Sequence, residues 1–195
     1  TAAVPATGAL TGANTLTIGT GVAFTGGAGQ DFVSVGATSK AIALGAGNDK
    51  ATVSVAALAT GGTINGGDGT DELVLTNANA VTLSTANAAQ TAFKAAVTGF
   101  ETLNITAQTG STVDVSGPGT FSTVKFTSAA AAQVLAGVTT GQTIESVFGA
   151  AGTSVTTNNL SGATDVLTVK LSGDLSAAAR SYGTFATPGV ETVNF

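Results

Sequence analysis

The sequence predicts an all-β fold, built as a parallel β-roll or β-helix, and three observations predict it. Glycine-rich turns ending in aspartate recur one coil apart, at Gly26-Gly27-Ala28-Gly29-Gln30-Asp31, Gly45-Ala46-Gly47-Asn48-Asp49 and Gly66-Gly67-Asp68-Gly69-Thr70-Asp71. Each is followed by a β-rich run, the mark of a short strand bounded by turns. Charged residues make up only 9% of the 195 and aromatic residues 5%, so the core must be thin-layered and the surface built from threonine, serine, glycine and alanine, as in a stacked solenoid.

The register of the turns sets the coil. The pattern G-G-x-G-x-D-x-U-x, with U a large apolar side chain, repeats every nine residues. A frame set at Gly26 begins its next units at Val35 and Leu44, so Asp49 stands where Asp31 does, 18 residues and one full coil later. Asp71 follows after 22. The longer coil is expected to carry its extra residues as a bulged loop within Ala56 to Thr60. Val33 and Leu73 occupy the apolar slot of the frame and point inward, whereas Ala51 underfills it. On the opposite edge Lys40 stands where the acid would be, and Thr17 to Val22 lacks one too, so a single column of acids is expected.

Further along, Ser84 to Val97 is rich in alanine and follows a cap at Ser84 or Thr85, which predicts one short helix near 85–97. Beyond it, apolar residues alternate with small polar ones at Val113 and Val115, Val124 and Phe126, Val134, Ile144, Val155, then Leu167, Val169 and Leu171. Such strands fit either further β-solenoid coils or a sandwich. The organisation expected is a roll over 1–80, a helix and connection over 81–98, and a second β region over 99–195. Gly99-Phe100-Glu101-Thr102-Leu103-Asn104-Ile105 returns as Gly189-Val190-Glu191-Thr192-Val193-Asn194-Phe195, so Glu101 and Glu191 are expected in equivalent structural places rather than as a catalytic pair. Glu101 is also placed to cap the acid column beyond Asp71. Asp114, Asp165 and Asp174 read as solvated acids near strand ends, and Arg180 and Tyr182 have no nameable partner.

The chemistry of the turns points to calcium. That ion takes six to eight oxygen ligands and accepts mixtures of carboxylate and backbone carbonyl. Glycine allows positive φ, so several carbonyls can face one centre without a Cβ clash. The candidate ligand set is Gly26, Ala28, Gly29 and Asp31 in the first turn, Leu44, Gly45, Ala46, Gly47 and Asp49 in the second, and Gly66, Asp68, Gly69 and Asp71 in the third. Three stacked turns sandwich two sites, one between Asp31 and Asp49 and one between Asp49 and Asp71. Asp68, Asn48 and Asn65 fall at odd turn positions and read more simply as solvated. A single turn of this kind would equally be an ordinary hairpin turn that binds nothing. Three in one column argue against that.

Composition removes other classes. The net charge of −5, with a pI near 4.3, offers no basic stripe for phosphates, so no nucleic acid partner is expected. With neither cysteine nor histidine, disulfides, thiolate metal sites, the usual zinc sites and histidine-based triads are unavailable. No apolar run approaches the roughly twenty residues of a membrane-spanning helix, and no membrane insertion is expected. The chain starts at Thr1 without methionine and stops on Phe195 in a strand-like run, which reads as a fragment of something longer.

Phe24-Thr25-Gly26-Gly27-Ala28-Gly29-Gln30-Asp31, Gly36-Ala37-Thr38-Ser39-Lys40-Ala41-Ile42, Gly66-Gly67-Asp68-Gly69-Thr70-Asp71, Gly99-Phe100-Glu101-Thr102-Leu103 and the Asp165-Val166-Leu167 segment leading to Gly189-Val190-Glu191-Thr192-Val193-Asn194 resemble the RTX family, and more closely its calcium-dependent bacterial surface-layer proteins. The resemblance implies a non-enzymatic protein secreted by the type I route, folding around Ca2+ outside the cell and self-assembling into a lattice on the bacterial cell surface. It makes Asp31, Asp49 and Asp71, with carbonyls of their turns, the calcium ligands. It names other copies of the protein as partners, with lipopolysaccharide held through regions outside this chain. Two related alternatives are a spacer segment of an RTX adhesin or biofilm-matrix protein and the C-terminal roll of a secreted RTX enzyme.

Overall fold

The computed structural model describes residues 15–58, 61–107, 110–127, 133–147, 155–157, 160, 162–172 and 184–195. Nine strands lie side by side in chain order in one long sheet: Thr15–Ile18, Phe32–Val35, Lys50–Val53, Glu72–Thr76, Thr102–Thr106, Thr123–Phe126, Thr143–Val147, Val166–Ser172 and Thr192–Asn194. After each of the first eight, the chain crosses to a second face. There Phe24–Thr25, Ala41–Ala43, Thr63–Asn65 and Val97–Thr98 form one sheet, and Thr112–Asp114, Gln133–Ala136, Val155–Thr157 and Phe185–Ala186 another.

Every strand pair among the described residues is parallel. The parallel pairing decides between the two architectures open beyond Gly99. Sandwich sheets are antiparallel, whereas in-register parallel strands joined through a second face are solenoid coils. The β-solenoid therefore continues and the sandwich alternative falls. The same long sheet runs through the first and third sequence segments, 1–80 and 99–195.

Alternation along each strand fills the interior. Val33, Ala51, Leu73, Leu103, Val124, Ile144 and Val169 stack in register as one inward row, and all are buried. Phe24, Ile42, Ile64 and Val97 form the facing row on the second face. Ala51 is fully buried like its larger neighbours, so the coils close over the small slot. One core cluster extends from Ile18 to Leu167.

The long coil between Asp71 and Glu101 holds two helices, where the sequence predicts one. Helix α2, Ala88–Ala96, lies inside the expected span, but its cap is Asn87, whose side chain accepts the Gln90 N–H at 2.9 Å. Ser84 instead closes helix α1, Asn77–Leu83, its N–H reaching the Val81 carbonyl at 3.1 Å and its hydroxyl the Ala80 carbonyl at 2.9 Å. Helix α1 reads Asn-Ala-Asn-Ala-Val-Thr-Leu, with few strong helix formers. It forms because the Thr76 hydroxyl caps it at the Asn79 N–H and because Ala80 and Leu83, one turn apart, both reach the core. Packing outweighs propensity here. In the coil before, Val55–Ala57 makes a 3-10 turn that overlaps the start of the bulge expected at Ala56 to Thr60. Ala59 and Thr60 lie outside the described residues, as do Asp174, Arg180 and Tyr182.

Leu103, fully buried at the middle of its row, tests the packing. Leu103→Ala is expected to lower unfolding free energy by about 2–5 kcal/mol in denaturant titrations, the usual loss for a buried leucine. Thr102→Ala, at the neighbouring outward position, should change it by less than about 0.5 kcal/mol, as surface substitutions do.

Candidate metal centre

Asp31, Asp49 and Asp71 each stand one residue before a strand of the long sheet, and the register brings them into a single column. The turns leading into them stack closely. Ala46 N–H meets the Gly27 carbonyl at 2.8 Å and Asp68 N–H the Gly45 carbonyl at 2.9 Å, so Ala46–Gly47 and Asp68–Gly69 form a small ladder of their own. Gly67 and Gly69 have φ of 108° and 138°, and a Cβ on either would run into the Gly45 or Gly47 carbonyl of the turn before. Glycine is required there by both conformation and space.

The carboxylates are chained coil to coil. Asp49 Oδ1 accepts the Asp31 N–H at 2.7 Å, Asp71 Oδ1 accepts the Asp49 N–H at 2.7 Å, and Glu101 Oε2 accepts the Asp71 N–H at 2.8 Å. All three aspartates are buried, Asp71 completely. The second oxygens, Asp49 Oδ2 and Asp71 Oδ2, are buried without any hydrogen-bond partner. Burial pushes both carboxyl pKa values above 3.8, against the lowering effect of the N–H each accepts. Neighbouring acids push the same way: Asp31 on Asp49, and Asp49, Glu101 and Asp68 on Asp71. A buried, unpaired polar oxygen costs about 1–3 kcal/mol, and more when charged. A proton or a cation relieves it.

The residues fit a hard cation. On Gly26, the carbonyl oxygen of Leu44 in the next coil and Asp31 Oδ2 both crowd the space a Cβ would take. On Gly66, the Gly99 carbonyl of the next coil and Asp71 Oδ2 do the same. One carboxylate oxygen paired with one carbonyl oxygen is the donor chemistry calcium accepts. No three acidic side chains meet at one centre among the described residues, so an ion here would draw part of its shell from the main chain.

The structure distributes the predicted ligands unevenly. Gly26 and Gly66 line the two crowded spaces, and Leu44 offers only its carbonyl because its side chain is fully buried in the core. Gly45, Gly47 and Gly69 take positive φ, and the Gly29 carbonyl lies under Gly47. Ala46 belongs to the turn ladder. Ala28 and Asp68 are exposed. Asn48 is not merely solvated, since its Oδ1 accepts the Thr70 N–H at 3.1 Å, and Asn65 Nδ2 donates to the Thr98 hydroxyl at 2.9 Å. Lys40 is exposed on the far edge.

Glu101 and Glu191 do hold equivalent places. Glu191 Oε2 accepts the Asp165 N–H at 2.6 Å, as Glu101 does for Asp71. The carbonyls of Asp71 and Asp165 each accept two N–H groups, from Glu101 and Thr102 and from Glu191 and Thr192. Their strands are four sheet positions apart, roughly 19 Å at the usual spacing, so the two glutamates do not face each other. Asp165 is buried rather than solvated, its Oδ2 accepting the Gly162 N–H at 2.6 Å, because it occupies the Asp71 position of this second pair. Asp114, half-buried, accepts from the Ser116 N–H and hydroxyl at 3.0 and 2.6 Å.

Sequence reasoning passed over Gly99 and Glu72. Glu72 sits on the outer face between Lys50 at 3.1 Å and Lys125 at 2.8 Å, with Asn104 Nδ2 at 2.8 Å. Burial raises its pKa, but these partners outweigh burial and hold it below 4.5. Only the strand register, not sequence proximity, could have found that cluster. No protein-family model matches the chain, and neither does any curated protein.

The raised carboxyls set a pH dependence. In the cation-free protein the folded state holds the Asp49 and Asp71 protons more tightly than the unfolded chain does. These groups therefore lower stability at neutral pH and restore it as pH falls through their raised values toward 3.8. Glu72 has the opposite sign, but its stabilising contribution fades only below 4.5. Thermal melting of cation-free protein should thus show a midpoint that rises as pH falls from neutrality, until Glu72 begins to lose its contribution below 4.5. A lower midpoint at pH 5 would contradict the buried, unpaired carboxylates.

Proposed function

We propose that this chain is a calcium-stabilised structural module of a secreted, RTX-type bacterial surface-layer protein, without catalytic activity of its own. The observation that carries the reading is the pair of buried, partnerless oxygens on Asp49 and Asp71, one per coil, with the Gly99 carbonyl crowding the same space as the Asp71 oxygen. Without a cation these carboxylates repel one another and stay unsatisfied, so folding is linked to the ion. Sites of the 10⁻⁴ to 10⁻³ M class would be empty at cytosolic calcium and filled outside the cell. The module would then order after export and pack against further copies through its threonine- and alanine-rich faces, with any lipopolysaccharide contact made by regions outside this chain.

Calcium titration of chelator-treated protein, followed by calorimetry and far-UV circular dichroism, tests the ligand. Strand signal is expected to rise with binding, and Asp49→Asn to remove the ion that Asp49 Oδ2 would ligate. Asparagine keeps an acceptor for the Asp31 N–H but puts an amide nitrogen where the partnerless oxygen stood. Electron microscopy at millimolar calcium tests the assembly. Two-dimensional sheets support the surface-layer reading, and calcium-folded monomers would move it to the adhesin spacer. A chain that folds fully and ignores calcium is a plain β-solenoid.

A further inference from the structure

The stacked glycine turns end at Asp71, yet the column does not. The next turn is Gly99-Phe100-Glu101, which carries no second glycine and no aspartate, and it arrives after the two helices of the 30-residue coil. Three features meet where it stacks on the third turn. Asp71 Oδ2 is fully buried and partnerless. The Gly99 carbonyl oxygen approaches the same face of Gly66 as that carboxylate oxygen, which would lie 2.6 Å from a Cβ there. Glu101 fixes the carboxylate's own backbone by accepting the Asp71 N–H at 2.8 Å. Gly99 takes φ of 70°, a conformation that favours glycine.

We infer that the space between the third glycine turn and the Gly99-Phe100-Glu101 turn is a further divalent-cation site, with Asp71 Oδ2 and the Gly99 carbonyl as ligands and Glu101 as a positioning residue. It rests on the calcium reading of the column but adds a place the glycine motif does not mark, since the closing turn lacks that motif. The same pairing of a carboxylate with the following coil's carbonyl occurs at Asp31 with Leu44, so the arrangement is the column's own, carried one coil past the repeat. Glu101 adds negative charge beside the ligand and holds its coil in register. The second Asp–Glu pair, Asp165 with Glu191, differs at the deciding point: Asp165 Oδ2 already accepts the Gly162 N–H, and neither of its carboxylate oxygens is buried without a partner.

The site predicts a third ion, independent of Asp49. Calcium calorimetry on the full chain should count about three ions, and Asp49→Asn should retain the one at Asp71. Adding Gly66→Ala to Asp49→Asn should remove that one, because the methyl fills the space between the two oxygens. Glu101→Gln, which keeps an acceptor for the Asp71 N–H, should weaken the retained ion about tenfold, the usual scale for an outer partner of a metal ligand. Circular dichroism of each variant confirms the fold, and Glu101→Gln keeps the test open if Gly66→Ala does not fold. An Asp49→Asn protein that binds no ion while the unmodified one binds two overturns the third site and leaves the column intact. Unmodified protein that binds no calcium overturns both.

Discussion

The constraint on which the structure depends lies at the point where each coil turns from the second face into the long sheet. The backbone N–H just before the strand lies deep in the stack and needs an acceptor. At Asp31, Asp49 and Asp71 that acceptor is a carboxylate from the following coil, and at Asp165 it is Glu191. The residue before the strand must therefore serve the coil behind it. An acid meets that need well because a carboxylate makes strong hydrogen bonds to N–H groups. It also leaves a second oxygen over, and burial makes that oxygen a liability.

How the column handles the liability changes along the chain. At Asp49 and Asp71 the second oxygen is stranded, which creates the demand for a cation. At Asp165 it is satisfied locally by Gly162. Between Asp71 and Asp165 on the same edge, before the strand at Thr143, the residue is Gln142, a neutral amide that accepts the Thr139 N–H and donates to the Phe121 carbonyl at 2.8 Å each. The fold is thus one solenoid with two chemistries. The early coils leave carboxylate oxygens unpaired in tight glycine turns, and at Gln142 and Asp165 the later coils pair this edge's polar groups within the protein.

Much of this was legible because it is periodic. The 18- and 22-residue spacing of aspartates gave the coil directly, and two-residue alternation gave the inward row from Val33 to Val169. The repeat of Gly-Φ-Glu-Thr-Φ-Asn, with Φ apolar, correctly placed Glu101 and Glu191 in equivalent positions. What escaped was whatever packing decides. Helix α1 has weak local propensity and exists because Ala80 and Leu83 find the core. Asp165 looked solvated because nothing nearby in sequence reveals that Glu191, 26 residues on, covers its N–H. Glu72 was hidden because its partners Lys50 and Lys125 come from other coils. The candidate ligands were legible by residue type. Which carbonyl shares space with which carboxylate was not, because that depends on how one coil seats on the next.

The column also has a direction. At each step the acceptor comes from the later coil and the N–H from the earlier one, and the carbonyls that crowd Asp31 and Asp71 likewise belong to later coils. An early coil is therefore finished only when its successor is in place: Asp31 is satisfied by Asp49, Asp49 by Asp71, and Asp71 by Glu101. Glu101 stands at the head of that dependence. Its carbonyl takes the Ser122 and Thr123 N–H groups at 2.9 and 3.1 Å, as the Asp71 carbonyl takes those of Glu101 and Thr102, but its own N–H goes back to the Asp71 carbonyl at 3.2 Å rather than to a later carboxylate. The coils that leave no acid oxygen stranded thus form the base on which the glycine turns are ordered. Cation demand is confined to the part of the solenoid that rests on it.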